Sequence, residues 1–188
     1  MSARPPGILA LVVGPSGVGK DTLIAGARRA LDADKRFSFV RRLVTRPTDP
    51  DLEDHLSLDP AEFAEARAAG RLALAWEAHG LHYGLPISVD TDLALGRVVV
   101  ANVSRHVVPA AMEKYPACRV IMITAEISLR AERLARRGRE DRDQIAARLA
   151  REGVGLPAHV SPITIDNSNS IGIGVTAFVM ALRALAEE

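Results

Sequence analysis

Gly14-Pro15-Ser16-Gly17-Val18-Gly19-Lys20-Asp21-Thr22 decides how this chain is read. An apolar run, Ile8 to Val13, leads into it, and a helix-like run from Thr22 to Leu31 leads out. That is the strand–loop–helix setting of a phosphate-binding P-loop. Glycines let the backbone turn tightly and bring its N–H groups up to phosphate oxygens. The helix that follows offers its positive N-terminal end to the same oxygens. Gly14, Pro15, Ser16, Gly17, Val18 and Gly19 are therefore assigned to nucleotide phosphates, with Thr22 at the start of the helix. Lys20 is assigned to the β- and γ-phosphates as a catalytic point charge. The plainer alternative, a glycine-rich turn, needs neither the lysine nor these flanks.

One position departs from the pattern. G-x-x-x-x-G-K is followed by Ser or Thr, whose hydroxyl ligates Mg²⁺. Here Asp21 stands in that place and Thr22 comes one residue late. A carboxylate is a hard oxygen ligand suited to Mg²⁺, so Asp21 is the candidate metal ligand, directly or through a water. A second reading has Asp21 only capping the helix and favouring its dipole, and both can hold.

The 188 residues fit one domain with small insertions and can bury a real core. A net charge of +1 provides no global field toward nucleic acid or membrane, so neither is expected as a partner. The single cysteine, Cys118, cannot form an internal disulfide and precedes the apolar run Val120 to Ile123. A buried strand thiol and a cytoplasmic setting are expected. The N-terminus lacks a signal-peptide pattern, and no stretch approaches the roughly 20 apolar residues of a membrane span. A monomer or homodimer fits equally.

Ile8–Val13 reads as a strand buried on both faces, as in a parallel sheet. Phe37–Thr45 reads as a second strand, and Arg46 to about Asp59 as a turn-rich loop. Asp59-Pro60-Ala61-Glu62 opens a short helix that ends at Gly70. Leu72–His79 and Leu81–Tyr83 are strands around Gly80; Pro86 opens a helix ending at Gly96. Arg97–Val103, Arg119–Thr124 and Ser161–Asp166 are strands, and Val107–Tyr115 is a helix. Arg-rich helices follow at 128–137 and 141–152, and Ile171–Glu188 closes the chain. The alternation predicts an α/β fold: a three-layer P-loop kinase fold with a parallel sheet and right-handed crossovers. A single domain is expected, with its core at 1–45, 85–136 and 149–188. Residues 46–84 form a small substrate-binding insertion and 137–148 a lid.

The stretch from Leu134 through Arg137, Gly138 and Arg139 to Arg148 carries several arginines around one glycine. Arginines can span a transferring phosphoryl group and offset its spreading charge. A hinge glycine lets such a segment close over nucleotide and exclude water. The competing reading is a solvated helix face with weak Arg–Glu pairs.

Together these features resemble the guanylate kinase-like branch of the nucleoside monophosphate kinases over nearly the whole chain. The resemblance rests on Gly14 through Lys20, Thr45-Arg46-Pro47, His79-Gly80-Leu81-His82-Tyr83-Gly84, and Arg133-Leu134 through Arg148-Leu149. Within that branch the chain is similar to the ribose 1,5-bisphosphate phosphokinases, through Gly19-Lys20-Asp21, Trp76-Glu77-Ala78-His79-Gly80 and Asn102-Val103-Ser104-Arg105. The resemblance implies transfer of a phosphoryl group from ATP, with Mg²⁺, to ribose 1,5-bisphosphate, a small phosphorylated sugar. The product is 5-phosphoribosyl 1-diphosphate, and the usual setting is bacterial phosphonate breakdown. A nucleoside monophosphate (guanylate) kinase is the alternative.

The departures from guanylate kinase have a physical reading. A Glu that reads the guanine edge there aligns with Leu74, and a base-contacting hydroxyl residue with Leu85. Polar edges left unmet in such a pocket cost about 1–3 kcal/mol each, so the acceptor is expected to carry no base. A second phosphate-binding arginine and a phosphate-contacting tyrosine are replaced by Asp49 and Asp54. Arg46 and Tyr83 keep matching positions as substrate-binding residues. Arg41, Arg42 and Arg105 are further candidates for the acceptor phosphates, or else ordinary surface charges. Where guanylate kinase carries Asp-x-Asp, this chain has Asn102-x-Ser104. A carboxylate at Asp21 would supply negative charge where these are lost. Asn102 and Ser104 could hydrogen-bond ribose hydroxyls, or be a strand-end pair satisfied by backbone. Asn167, in Ile165-Asp166-Asn167-Ser168, resembles the segment that borders adenine, and is also suited to a plain turn. Lys20, Arg137 and Arg148 are the catalytic set the resemblance implies.

Overall fold

Every residue of the first strand, β1 (Ile8–Val13), is buried, and the strand sends its side chains into two separate cores. Ile8, Ala10 and Val12 pack with Leu23 and Ala27 of α1 (Lys20–Ala30) and with Phe178 and Leu182 of α6 (Ile171–Leu185). Leu9, Leu11 and Val13 pack on the opposite face with Val99 and Ala101 of β7 (Val98–Asn102) and Val108 and Ala111 of α4 (Val108–Lys114). This two-sided burial is the one expected of a run without polar alternation. In this computed structural model, residues 6–47, 55–78, 80–136, 146, 149 and 155–188 are described.

The main sheet is parallel throughout. Its order is β2 (Phe37–Phe39), β7, β1, β8 (Cys118–Thr124), β9 (Ile163–Asp166). β1 is central, so the loop leaving its carboxyl end sits where open α/β sheets bind ligands. Cys118 is buried, and that burial pushes its thiol up to about 11.

A second sheet has the order β4 (His55–Ser57), β3 (Arg42–Val44), β6 (Leu81–Pro86), β5 (Leu72–Ala78). Its Ala73, Leu74 and Leu85 join the core of Leu9, Leu11 and Val13, so one face packs on the main body. The other meets α2 (Pro60–Ala68), whose Phe63 stacks on His82 with ring centres 5.5 Å apart. α2 begins in the capping box read from the sequence. Asp59 accepts from the Glu62 amide at 2.8 Å, and Glu62 accepts from the Asp59 amide at 2.8 Å. At its end the Gly70 amide donates to Arg67 O and the Arg71 amide to Ala66 O, the paired bonds of a Schellman stop.

Three expectations need correction. The single strand over Phe37–Thr45 is two, β2 in the main sheet and β3 in the second. The consecutive Arg41-Arg42 cannot continue a strand buried beside β7, and the chain changes sheets there. The loop expected over 46–59 contains β4, whose three residues are too few to show a period. Pro86 ends β6, paired with Leu72, and the helix α3 (Ser88–Ala94) opens later. Proline's fixed φ suits a strand end as well as a first helical turn. The helix expected over 128–137 runs Ile127–Arg136 and is labelled α5. Of 141–152 only 146 and 149 are described, both helical.

Candidate functional site

The glycine-rich loop needs its glycines for backbone reasons. Gly17 and Gly19 have φ of 80° and 87°, a region that side chains with a Cβ rarely enter. Both are also tightly packed: a Cβ on Gly17 would lie 2.8 Å from Arg130 O, and one on Gly19 2.7 Å from Asn167 Nδ2. Gly19 is the N-cap of α1 and has no side chain to close the first turn. The helix start is left to the loop, where the axial dipole favours an anion. Lys20 Nζ donates to the loop's own carbonyls, Gly14 O at 2.7 Å and Pro15 O at 3.2 Å. Its ammonium thus spans the rim of the loop.

Asp21 does not cap the helix. It lies in the first turn of α1, and its Oδ1 accepts from Asn102 Nδ2 at 2.7 Å. Asn102 is the last residue of β7, held beside Val12 by the parallel register. The two positions that the sequence linked by loss and gain of charge are thus in direct contact. Asn102 is 8% exposed, and its Oδ1 is buried with no hydrogen-bond partner among the described residues. A carboxylate and an unpaired amide oxygen side by side are hard donors of the kind Mg²⁺ takes. Among the described residues no group of three or more His, Cys, Asp or Glu could hold a metal alone. A Mg²⁺ held by one or two protein oxygens plus substrate phosphates needs no such group.

On the second sheet, Tyr83 is the centre of a cross-strand row. Trp76 of β5 stacks on it with ring centres 5.6 Å apart and planes 11° apart. Arg42 of β3 lies 5.9 Å over its ring. Leu74 faces Leu85 across the same ladder; they are 7% and 0% exposed. The two positions that the resemblance aligns with base-reading residues are thus apolar and buried. Arg46 follows β3 in a turn tied to β6: the Thr45 amide donates to His82 O at 3.0 Å, and the His82 amide to Thr45 Oγ1 at 2.9 Å. Arg41 donates to His55 O at 3.2 Å, so part of its guanidinium serves the sheet edge. Arg105 opens a 3-10 turn after β7, with Ser104 as its N-cap.

Asn167, expected beside the adenine, has its side chain under the loop. It is 3% exposed and donates Nδ2 to Val18 O at 2.7 Å. Arg137, Arg148, Asp49, Asp54, His79 and most of the expected lid 137–148 lie outside the described residues. Reading the residues did not single out Arg130 and Arg133 of α5 as loop supports. Both donate to the loop, and their spacing in sequence resembles any basic helix face.

No protein-family model matches the chain. The chain is 50% identical over 182 residues to ribose 1,5-bisphosphate phosphokinase PhnN of Brucella abortus biovar 1 (strain 9-941), covering 97% of this chain and 95% of that protein. It is 51% identical over 179 residues to the protein of the same name from Methylobacterium radiotolerans, covering 95% and 99%. It also matches a bifunctional ribose 1,5-bisphosphokinase-thymidine phosphorylase of Cupriavidus necator, 46% identical over 180 residues and 30% of that longer protein. Among solved structures, a guanylate kinase from Anaplasma phagocytophilum superposes with a TM-score of 0.71 at 17% identity, over 98% of this chain and 89% of that one. A gluconokinase from Sinorhizobium meliloti 1021 superposes at 0.51 and 18% identity, over 98% and 95%. At such identities these two establish the fold, that of P-loop kinases.

Proposed function

Because the chain belongs to the ribose 1,5-bisphosphate phosphokinase family, we propose that it transfers the γ-phosphoryl group of ATP to ribose 1,5-bisphosphate, giving ADP and 5-phosphoribosyl 1-diphosphate. The identity of about one residue in two over nearly the full length of those relatives carries this reading. The closed Leu74–Leu85 pair supports it, because those positions have no polar groups to select a purine.

The chain's own residues account for the chemistry by position and charge. The backbone N–H groups between Gly14 and Gly19, Pro15 having none, and the open start of α1 hold the triphosphate, Thr22 included in that first turn. Lys20 turns from the Gly14 and Pro15 carbonyls toward the β- and γ-oxygens. Asp21, with Asn102 Oδ1 beside it, would hold Mg²⁺, which would neutralise charge on the transferring group when bound. Arg137 and Arg148, which lie outside the described residues, are the arginines assigned to the charge of the transferring group. Arg46, Tyr83, Arg42 and Arg105 hold the acceptor's phosphates, and Asn102 lies near its ribose. The attacking atom is a phosphate oxygen on C1, already ionised near neutral pH because a phosphate monoester's second pKa is about 6. No general base is therefore required, and the barrier is lowered by alignment and electrostatics. A cytoplasmic setting and a monomer or homodimer belong to the same proposal; among the described residues no helix is long and apolar enough to cross a membrane.

ADP release with ribose 1,5-bisphosphate, GMP and AMP assayed side by side tests the reading. Ribose 1,5-bisphosphate is expected to be strongly preferred, and preference for GMP would overturn it.

A further inference from the structure

The back of the P-loop is tied to α5 and to the turn after β9. Arg130, 3% exposed, donates Nε to Ser16 O at 3.1 Å. Arg133 donates Nη1 to Val18 O at 3.3 Å and Nη2 to Asn167 O at 2.9 Å. Asn167 adds its own bond to Val18 O at 2.7 Å. The loop also rides directly on the α5 backbone, since a Cβ on Gly17 would lie 3.3 Å from Arg130 Cα.

A trans peptide plane directs the C=O of one residue and the N–H of the next to opposite sides. Fixing the Ser16 carbonyl outward therefore turns the Gly17 amide inward. Fixing the Val18 carbonyl does the same for the Gly19 amide. Among the described residues no hydrogen bond takes up either amide. Successive inward N–H groups form the concavity that binds phosphate. The cost of misdirecting them falls on the nucleotide, because an amide aimed away offers its oxygens nothing.

We propose that Arg130 is a positioning residue for the triphosphate: it aims the Gly17 amide by holding the Ser16 carbonyl, and touches no nucleotide itself. The proposal rests on the reading of the loop as the ATP site. A buried guanidinium suits this task. It keeps its charge, reaches a carbonyl with a fixed fork of donors, and adds positive potential behind an anion site.

The test compares Arg130→Met and Arg130→Lys with the unaltered enzyme. ATP affinity is measured directly by calorimetry without acceptor, alongside KM for each substrate and thermal unfolding. Loss of a charge-assisted hydrogen bond predicts about tenfold weaker ATP binding and a parallel rise in KM for ATP in Arg130→Met. KM for ribose 1,5-bisphosphate is expected to stay within about twofold, since Arg46, Tyr83 and Arg42, assigned to the acceptor, belong to the second sheet and its turn rather than to the P-loop. Arg130→Lys, which keeps charge and a donor, is expected to recover most of the affinity. A lowered melting temperature with unchanged ATP affinity would show a purely structural arginine and overturn the proposal, as would an equal loss for both substrates. If Arg130→Met folds poorly, Arg130→Gln is read against the same outcomes. Unaltered enzyme that fails to bind ATP would instead remove the reading of the site, and the proposal with it.

Discussion

Replacing Asn102 by Asp probes the junction between β7 and α1 most directly. Asn102 is 8% exposed and donates to Asp21 at 2.7 Å, and the substitution barely changes shape. Its effect is therefore electrostatic. A hydrogen bond to a charged acceptor is lost, about 1.5–3 kcal/mol. Two carboxylates then face each other; with charge centres about 4 Å apart and an effective dielectric of about 20, their repulsion is about 4 kcal/mol. Rotation of the pair and water reaching half-exposed Asp21 relieve part of this, leaving an expected net loss of about 3–5 kcal/mol. The repulsion exists only while both groups are ionised. The loss is full at about pH 8 and shrinks at about pH 4.5 as protons return. A cation at the pair reverses it: Mg²⁺ at a hundredfold excess over its dissociation constant restores about 2.7 kcal/mol. Urea midpoints of both proteins, at each pH and with or without excess MgCl₂, measure all three quantities. A variant as stable as the parent at pH 8 without Mg²⁺, or one that excess Mg²⁺ does not rescue, would refute the assignment of this pair as the metal site.

Further expectations concern single groups. Lys20→Ala is expected to lower turnover by about a thousandfold or more in steady-state kinetics. Its melting temperature should move little, since its bonds to the Gly14 and Pro15 carbonyls lie at the rim of the loop. Tyr83→Ala removes the ring between Trp76 and Arg42 and is expected to raise KM for the acceptor about tenfold, with KM for ATP unchanged. The Cys118 thiol, pushed up to about 11 by burial, should react slowly with a maleimide at neutral pH in the native state and fast in urea. Because its native pKa lies above the unfolded one, the contribution is whole below about pH 8.5 and is lost as pH rises through about 11. Urea midpoints of the parent and Cys118→Ala, measured across that range, should converge as pH rises.

The order of elements was largely legible because each rests on local chemistry. The loop Gly14 to Lys20, the capping box of Asp59 and Glu62 and the run Ile8 to Val13 each act over a few neighbouring residues. The pairing partners were not. Arg41-Arg42 marks a break in the run, but nothing local says that Phe37 and Phe39 join β7 while Leu43 and Val44 join β6. Likewise His55–Ser57 becomes a strand only because β3 lies beside it.

For the candidate site, the identity of the groups was set by sequence and their orientation by the fold. The sequence by itself determined the spacing of a phosphate loop and Asp21 where a hydroxyl is usual, and its resemblance to guanylate kinase set Leu74 and Leu85 against polar readers of a base. Only the tertiary structure brought Asp21 against Asn102, put Asn167 under Val18 and placed Arg130 on the Ser16 carbonyl. The physical reason is range. Glycine, proline and charge exert their preferences along the chain, whereas a contact between residues far apart exists only once the sheet order has closed the distance.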